Sequence, residues 1–123
     1  MASAFAIEEI PDEDVLFRRI HHMHLTPDGK ISSQAFDQER LSVNWEKYSD
    51  AAATADANSV VVTALICGMC RGLELVVQHA PIEPDQPSGP NRAHAEICGK
   101  KTRPIRQKLR DIAKAVWSKP PQS

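Results

Sequence analysis

No long hydrophobic run exists anywhere in this 123-residue chain. The longest apolar stretch, Val60-Val-Val-Thr-Ala-Leu-Ile-Cys67, is strand-sized and far short of the ~20 residues that span a bilayer. The first residues, Met1 to Glu9, have no basic start and soon turn acidic, unlike a secretory signal. Three cysteines are an odd number for a disulfide framework, which points to reduced thiols in a cytoplasmic protein. Aromatic residues are scarce, and none interleaves with the basic stripe Arg103, Arg106, Arg110 and Lys114, so base stacking on nucleic acid is not indicated. The phosphate cradles Gly-x-x-x-x-Gly-Lys-Ser/Thr and Gly-x-Gly-x-x-Gly are both missing. There is no internal repeat and no low-complexity segment.

What is present fits one domain, long enough to bury a core without staples. Residues 1–14 read as an acidic N-terminal arm, residues 15–119 as a single α+β domain and residues 120–123 as a proline-containing tail. Strands are expected at Val15–Ile20, Ile31–Phe36, Leu41–Trp45, Val60–Ile66, Leu73–His79 and Ala93–Cys98. Leu41, Val43 and Trp45 alternate with Ser42 and Asn44, the period of a half-buried strand. Val60–Ile66 is apolar throughout and belongs at the centre of a sheet. Pro27-Asp28-Gly29 is a turn, because proline presets φ and glycine accepts a positive one. Ser49 or Asp50 can cap a short helix over the alanine-rich 51–57. The four prolines of residues 80–92 imply an extended loop. Thr102 can cap a final helix in which Ile105, Leu109, Ile112 and Val116 make one apolar stripe, ended by Pro120-Pro121. The expected fold is therefore α+β: a mostly antiparallel sheet of about five or six strands, a short middle helix and a long C-terminal helix packed on it.

Charge is divided unevenly behind a net charge of −1. Glu8, Glu9, Asp12, Glu13 and Asp14 crowd one end, whereas Lys100, Lys101, Arg103, Arg106, Arg110 and Lys114 crowd the other. Such segregation suggests attraction to something acidic. The leading expectation is a small partner-binding protein, an accessory or adaptor rather than an enzyme. It would use the basic C-terminal helix and the proline-rich loop to hold an acidic protein partner or a second copy of itself, in preference to nucleic acid. A helix N-terminus at Gly99-Lys-Lys-Thr102 could also hold one phosphate or sulfate.

Three constellations could carry chemistry. Cys67-Gly-Met-Cys70 and His94-Ala-Glu-Ile-Cys98 contain every cysteine, and Cys67, Cys70, His94 and Cys98 would make a Cys3His zinc set. In a strand, however, His94 and Cys98 stand roughly 13 Å apart, and free cysteines commonly serve as small buried hydrophobes. No cofactor is therefore expected, with zinc as the alternative. The cluster His21-His22-Met23-His24 offers an enzyme alternative, a small hydrolase or nuclease. His22 and His24 would share one side of an extended segment, with Asp28 beside them for a metal or for general-base work. Finally, Arg18 or Arg19, Ser32 or Ser33, and Glu74 or Glu96 place an arginine on one strand, a serine on the next and a late glutamate. That broad layout resembles ADP-ribosyltransferase sites.

Overall fold

A computed structural model describes residues 4–120. Alternation along the first strand, β1 (Val15–His21), sends Leu16, Arg18 and Ile20 to one face and Phe17, Arg19 and His21 to the other. The same alternation in β2 (Arg40–Trp45) buries Leu41, Val43 and Trp45 and turns Ser42 and Asn44 the opposite way. Asp50 caps a single helical turn, α1 (Ala51–Thr54), by accepting from the Ala53 amide at 2.7 Å. β3 (Ser59–Ile66) follows, then a short helix α2 (Cys67–Arg71), β4 (Val76–His79), β5 (His94–Cys98), α3 (Arg103–Ile112) and β6 (Lys114–Ser118). The six strands form one antiparallel sheet in the order β4-β5-β2-β1-β3-β6. Leu16, Ile20, Leu41, Trp45, Leu65, Ile97 and Leu109 are fully buried in a single core with Phe36 and Ile10.

The α+β expectation holds, and two of its elements are corrected. The long C-terminal helix is absent: α3 has 10 residues, Ala113 is extended, and the chain becomes β6. Ile112 and Val116 share a helical spacing, but Val116 and Trp117 are good strand formers, and pairing along β3 decides between them. The strand expected at residues 31–36 is instead a 3-10 turn, Ser33–Phe36. Ser32 Oγ accepts from the Gln34 amide at 3.2 Å, which starts the turn and drives Ala35 and Phe36 into the core.

The acidic segment does not lie against the basic helix. Ile10 is buried, and Arg71 donates to the Ile10 carbonyl and to Asp12, while Glu9 is also within its reach. Gly68 donates to the Asp12 carbonyl at 2.7 Å; a Cβ there would sit 2.9 Å from that of Asp12, so only glycine allows this approach. Glu8 bonds Lys47 and Tyr48 and approaches Arg92. These contacts hold its carboxyl below the usual value, the Lys47 bond most of all.

Candidate functional site: an open seam in the sheet

β1 pairs with β3 along its whole length, from Val15↔Ile66 to His21↔Ser59. With β2 it pairs only at Leu16↔Trp45 and Phe17↔Asn44, after which the two strands part. A parted seam leaves backbone groups in need of partners. Arg18 supplies them: its guanidinium donates to the Ala35 carbonyl at 3.0 and 3.2 Å and to the Ser42 carbonyl at 3.1 Å. One side chain thus stands in for the missing ladder bonds and closes the bottom of the gap. Burial pulls its pKa down, and Asp37 partly offsets this.

On the outer face the gap opens as a small, half-open cleft of about 40 Å³. Phe17, Arg18, Arg19, Asn44, Ser42 and His94 line most of it. The register arranges them. Ser42 faces Glu96 across β2 and β5, Glu96 faces Gln78 across β5 and β4, and Asn44 faces His94. Ser42, Glu96 and Gln78 therefore stand in one row over three paired strands, with Phe17, Asn44 and His94 in the next. Arg19 lines the cleft from β1 beyond the last paired residues.

Each of these side chains is held. Arg19 donates to the Thr54 carbonyl and lies 3.8 Å from Asp56. Burial opposes ionisation of Asp56, but bonds from the Ser59 hydroxyl and the Asn58 amide, with the nearby Arg19 charge, leave its pKa lowered. Asn44 is buried; it donates to Thr54 Oγ1 at 3.1 Å and accepts from Asn91 at 3.0 Å. The Glu96 carboxylate accepts from Gln78 at 3.3 Å, and Arg40 lies 4.0 Å away. His94 Nδ1 lies 2.7 Å from the Ala80 carbonyl, and Nε2 lies 3.2 Å from Ser42 Oγ. A carbonyl only accepts, so in the neutral ring Nδ1 carries the proton and Nε2 accepts from the Ser42 hydroxyl.

The other anticipated groups lie apart. Cys67 and Cys70 are buried around α2, whereas His94 and Cys98 occupy the outer face of β5. Among the described residues no three His, Cys, Asp or Glu side chains converge on a metal position. Burial raises the pKa of all three thiols, Cys70 to about 12. His22 and His24 fall in a 3-10 turn rather than an extended segment, with His22 exposed. Instead His21 and His24 stack, 6.1 Å between centroids. Asp28 is turned into its own loop by Thr26 and Lys30.

Of the basic set, Lys101 is buried and donates to the Glu39, Ile97 and Gly99 carbonyls at 2.8–3.0 Å. Arg106 donates to the Lys101 carbonyl, and Lys114 belongs to β6. Lys100, Arg103 and Arg110 are exposed.

Of the arginine, serine and glutamate layout, Arg18 and Arg19 line the cleft, whereas Glu96 stands outside the lining, paired with Ser42 across β2 and β5. Ser32 caps a turn, Ser33 lies within that turn, and Glu74 is exposed in the α2–β4 link with φ of 64°. The serine of the row is Ser42, which the sequence reading placed only on the polar side of a strand. Compared with known protein families, with curated proteins and with solved structures, the chain matches none.

Proposed function

We propose that the cleft is an active site for breaking the nicotinamide–ribose bond of a NAD-type dinucleotide, with transfer of ADP-ribose to an acceptor. The observation that supports this reading is that Ser42 and Glu96 face each other on paired strands while Arg19 lines the same cleft as Ser42. Ser42 here takes the part that the ADP-ribosyltransferase-like layout gave to Ser32 or Ser33. Physical chemistry supports the same roles. Arg19 and the Arg18 floor bring two guanidinium groups, suited to a diphosphate. Breaking the bond leaves positive charge on the ribosyl ring, which a fixed carboxylate such as Glu96 stabilises. Ser42 orients the sugar hydroxyls. Phe17 adds an apolar wall. The cleft is far smaller than a dinucleotide, so the ligand would lie mainly over the open outer face with only a small part of its reacting end in the cleft.

Calorimetric titration with NAD and a nicotinamide-release assay test this. Glu96→Gln should keep NAD affinity and lower turnover by about 100-fold or more; Arg19→Ala should weaken binding. Absence of NAD binding at millimolar concentration, or wild-type turnover in Glu96→Gln, removes the reading.

A second reading, an acidic protein partner held by Lys100, Arg103 and Arg110, is favoured by one observation. The acids of residues 8–12 are engaged by Lys47, Arg71 and Arg92, and so do not neutralise α3. Its test is binding of a polyglutamate peptide at low salt, lost in Arg103→Glu/Arg110→Glu.

A further inference from the structure

The contact between Ser42 and His94 has chemistry that bond breaking alone does not use. We propose that His94 is the general base for the acceptor, and that the acceptor is accordingly a hydroxyl group. This rests on the ADP-ribosyl reading above. Of the five histidines, His94 is the one that lines the cleft. His79 is buried with both ring nitrogens bonded, to the Glu8 amide and the Arg92 carbonyl. His21 and His24 stack on each other outside the lining.

The imidazole of His94 is oriented for base work. Nδ1–H is fixed on the Ala80 carbonyl at 2.7 Å, so the lone pair of Nε2 is committed to the cleft side, where it receives the Ser42 hydroxyl. His94 and Glu96 lie two residues apart on one face of β5, about 6.8 Å along the strand. A ribosyl carbon held by Glu96 therefore leaves room for an acceptor oxygen beside Ser42. The charged groups around the ring are Glu96 on its own strand, Arg40 of β2 at 4.0 Å from Glu96, and Arg18 and Arg19 of β1 in the cleft lining. The residue paired with His94 on β2 is the uncharged Asn44, and the one paired with Glu96 on β4 is Gln78.

The step balances without a further reactant. The acceptor oxygen bonds to the anomeric carbon of the ribose. The carbon–nitrogen bond to nicotinamide breaks, and its electron pair neutralises the pyridinium nitrogen. Ser42 Oγ receives the acceptor proton as it passes its own to His94 Nε2, which later releases it to solvent. Water as acceptor gives free ADP-ribose; an alcohol gives the O-glycoside. A neutral hydroxyl needs this proton removal, whereas an anion such as azide does not.

The experiment compares wild type, His94→Gln and Glu96→Gln with NAD and three nucleophiles: water, methanol and azide. Glutamine in place of His94 still bonds Ser42 but takes no proton near neutrality. In His94→Gln we expect NAD affinity within about twofold of wild type, at least about 100-fold slower nicotinamide release to water and methanol, and azide rates within about threefold. Independently of turnover, nitrogen NMR of the ligand-free protein should show His94 protonated at Nδ1 and bare at Nε2. A ring protonated at Nε2, unchanged water and methanol rates in His94→Gln, or equal loss with azide each overturns the base assignment. If Glu96→Gln is inactive while His94→Gln is not, only that assignment falls. If wild type does not bind NAD, both proposals fall together.

Discussion

The two seams of β1 differ in how they satisfy the same backbone. Toward β3 the strand is zipped from end to end, apart from one irregularity at Ile20/His21, and the seam is backed by Leu16, Ile20 and Leu65. Toward β2 it is zipped for two residue pairs, and then a guanidinium takes over from the ladder. The closed seam supplies rigidity and nothing for a ligand to recognise. The open seam gives up ladder bonds and gains a cleft with charge at its base. A side chain that replaces backbone pairing brings the chemistry of its own head group with it.

Matched substitutions separate the two seams. Leu65→Ala in the closed seam should cost about 2–5 kcal/mol by urea unfolding, through lost burial and a cavity, while the folded fraction keeps its ligand affinity. Arg18→Met in the open seam should cost less, about 2–3 kcal/mol, because the Ala35 and Ser42 carbonyls lose their donors, yet it should abolish NAD binding. An Arg18→Met variant that binds as wild type would show that the guanidinium is a splice and no more.

The smallest effect is a pH dependence at the far end of the open seam. Burial chiefly, with Arg18 and His21, lowers the pKa of His24, and Asp37 opposes this. The unfolded chain therefore binds the proton more readily than the folded one. Stability from this group is complete above the ordinary imidazole value of about 6.5 and declines as pH falls below it, levelling once the folded ring also protonates. His24→Gln should flatten that stretch of the stability profile, measured by thermal melts between neutral and mildly acidic buffers. A slope unchanged by the substitution would place its origin elsewhere.

Local signals led to much of this architecture. The alternation of Leu41, Val43 and Trp45 and the Asp50 cap each act over a few residues and formed as read, though the capped helix is one turn. The apolar Val60–Ile66 run formed its strand, but beside the edge strand β6 rather than at the centre. What was not legible depends on partners distant in sequence. Ile112 and Val116 fit a helix or a strand equally well, until β3 offers an edge. Ser42 reads as one more polar residue on a strand. It becomes part of a site because β5 brings Glu96 and His94 from more than fifty positions later, and because β1 turns away. No periodicity encodes a place where two strands fail to pair. The arginine that fills such a place was visible, but its task was not.

The switch from α3 into β6 bears on solubility as well as fold. Without those last residues, Val61–Ala64 of β3 would present unpaired amides and carbonyls along an apolar strand, a template for edge-to-edge aggregation. With them, the outermost strand is five residues long, begins at Lys114 and is followed by Lys119 and Pro120. Charge and proline at the two ends discourage a further strand from adding. The segment that ends the described chain thus also guards this edge of the sheet, opposite β4, against growing into a fibre.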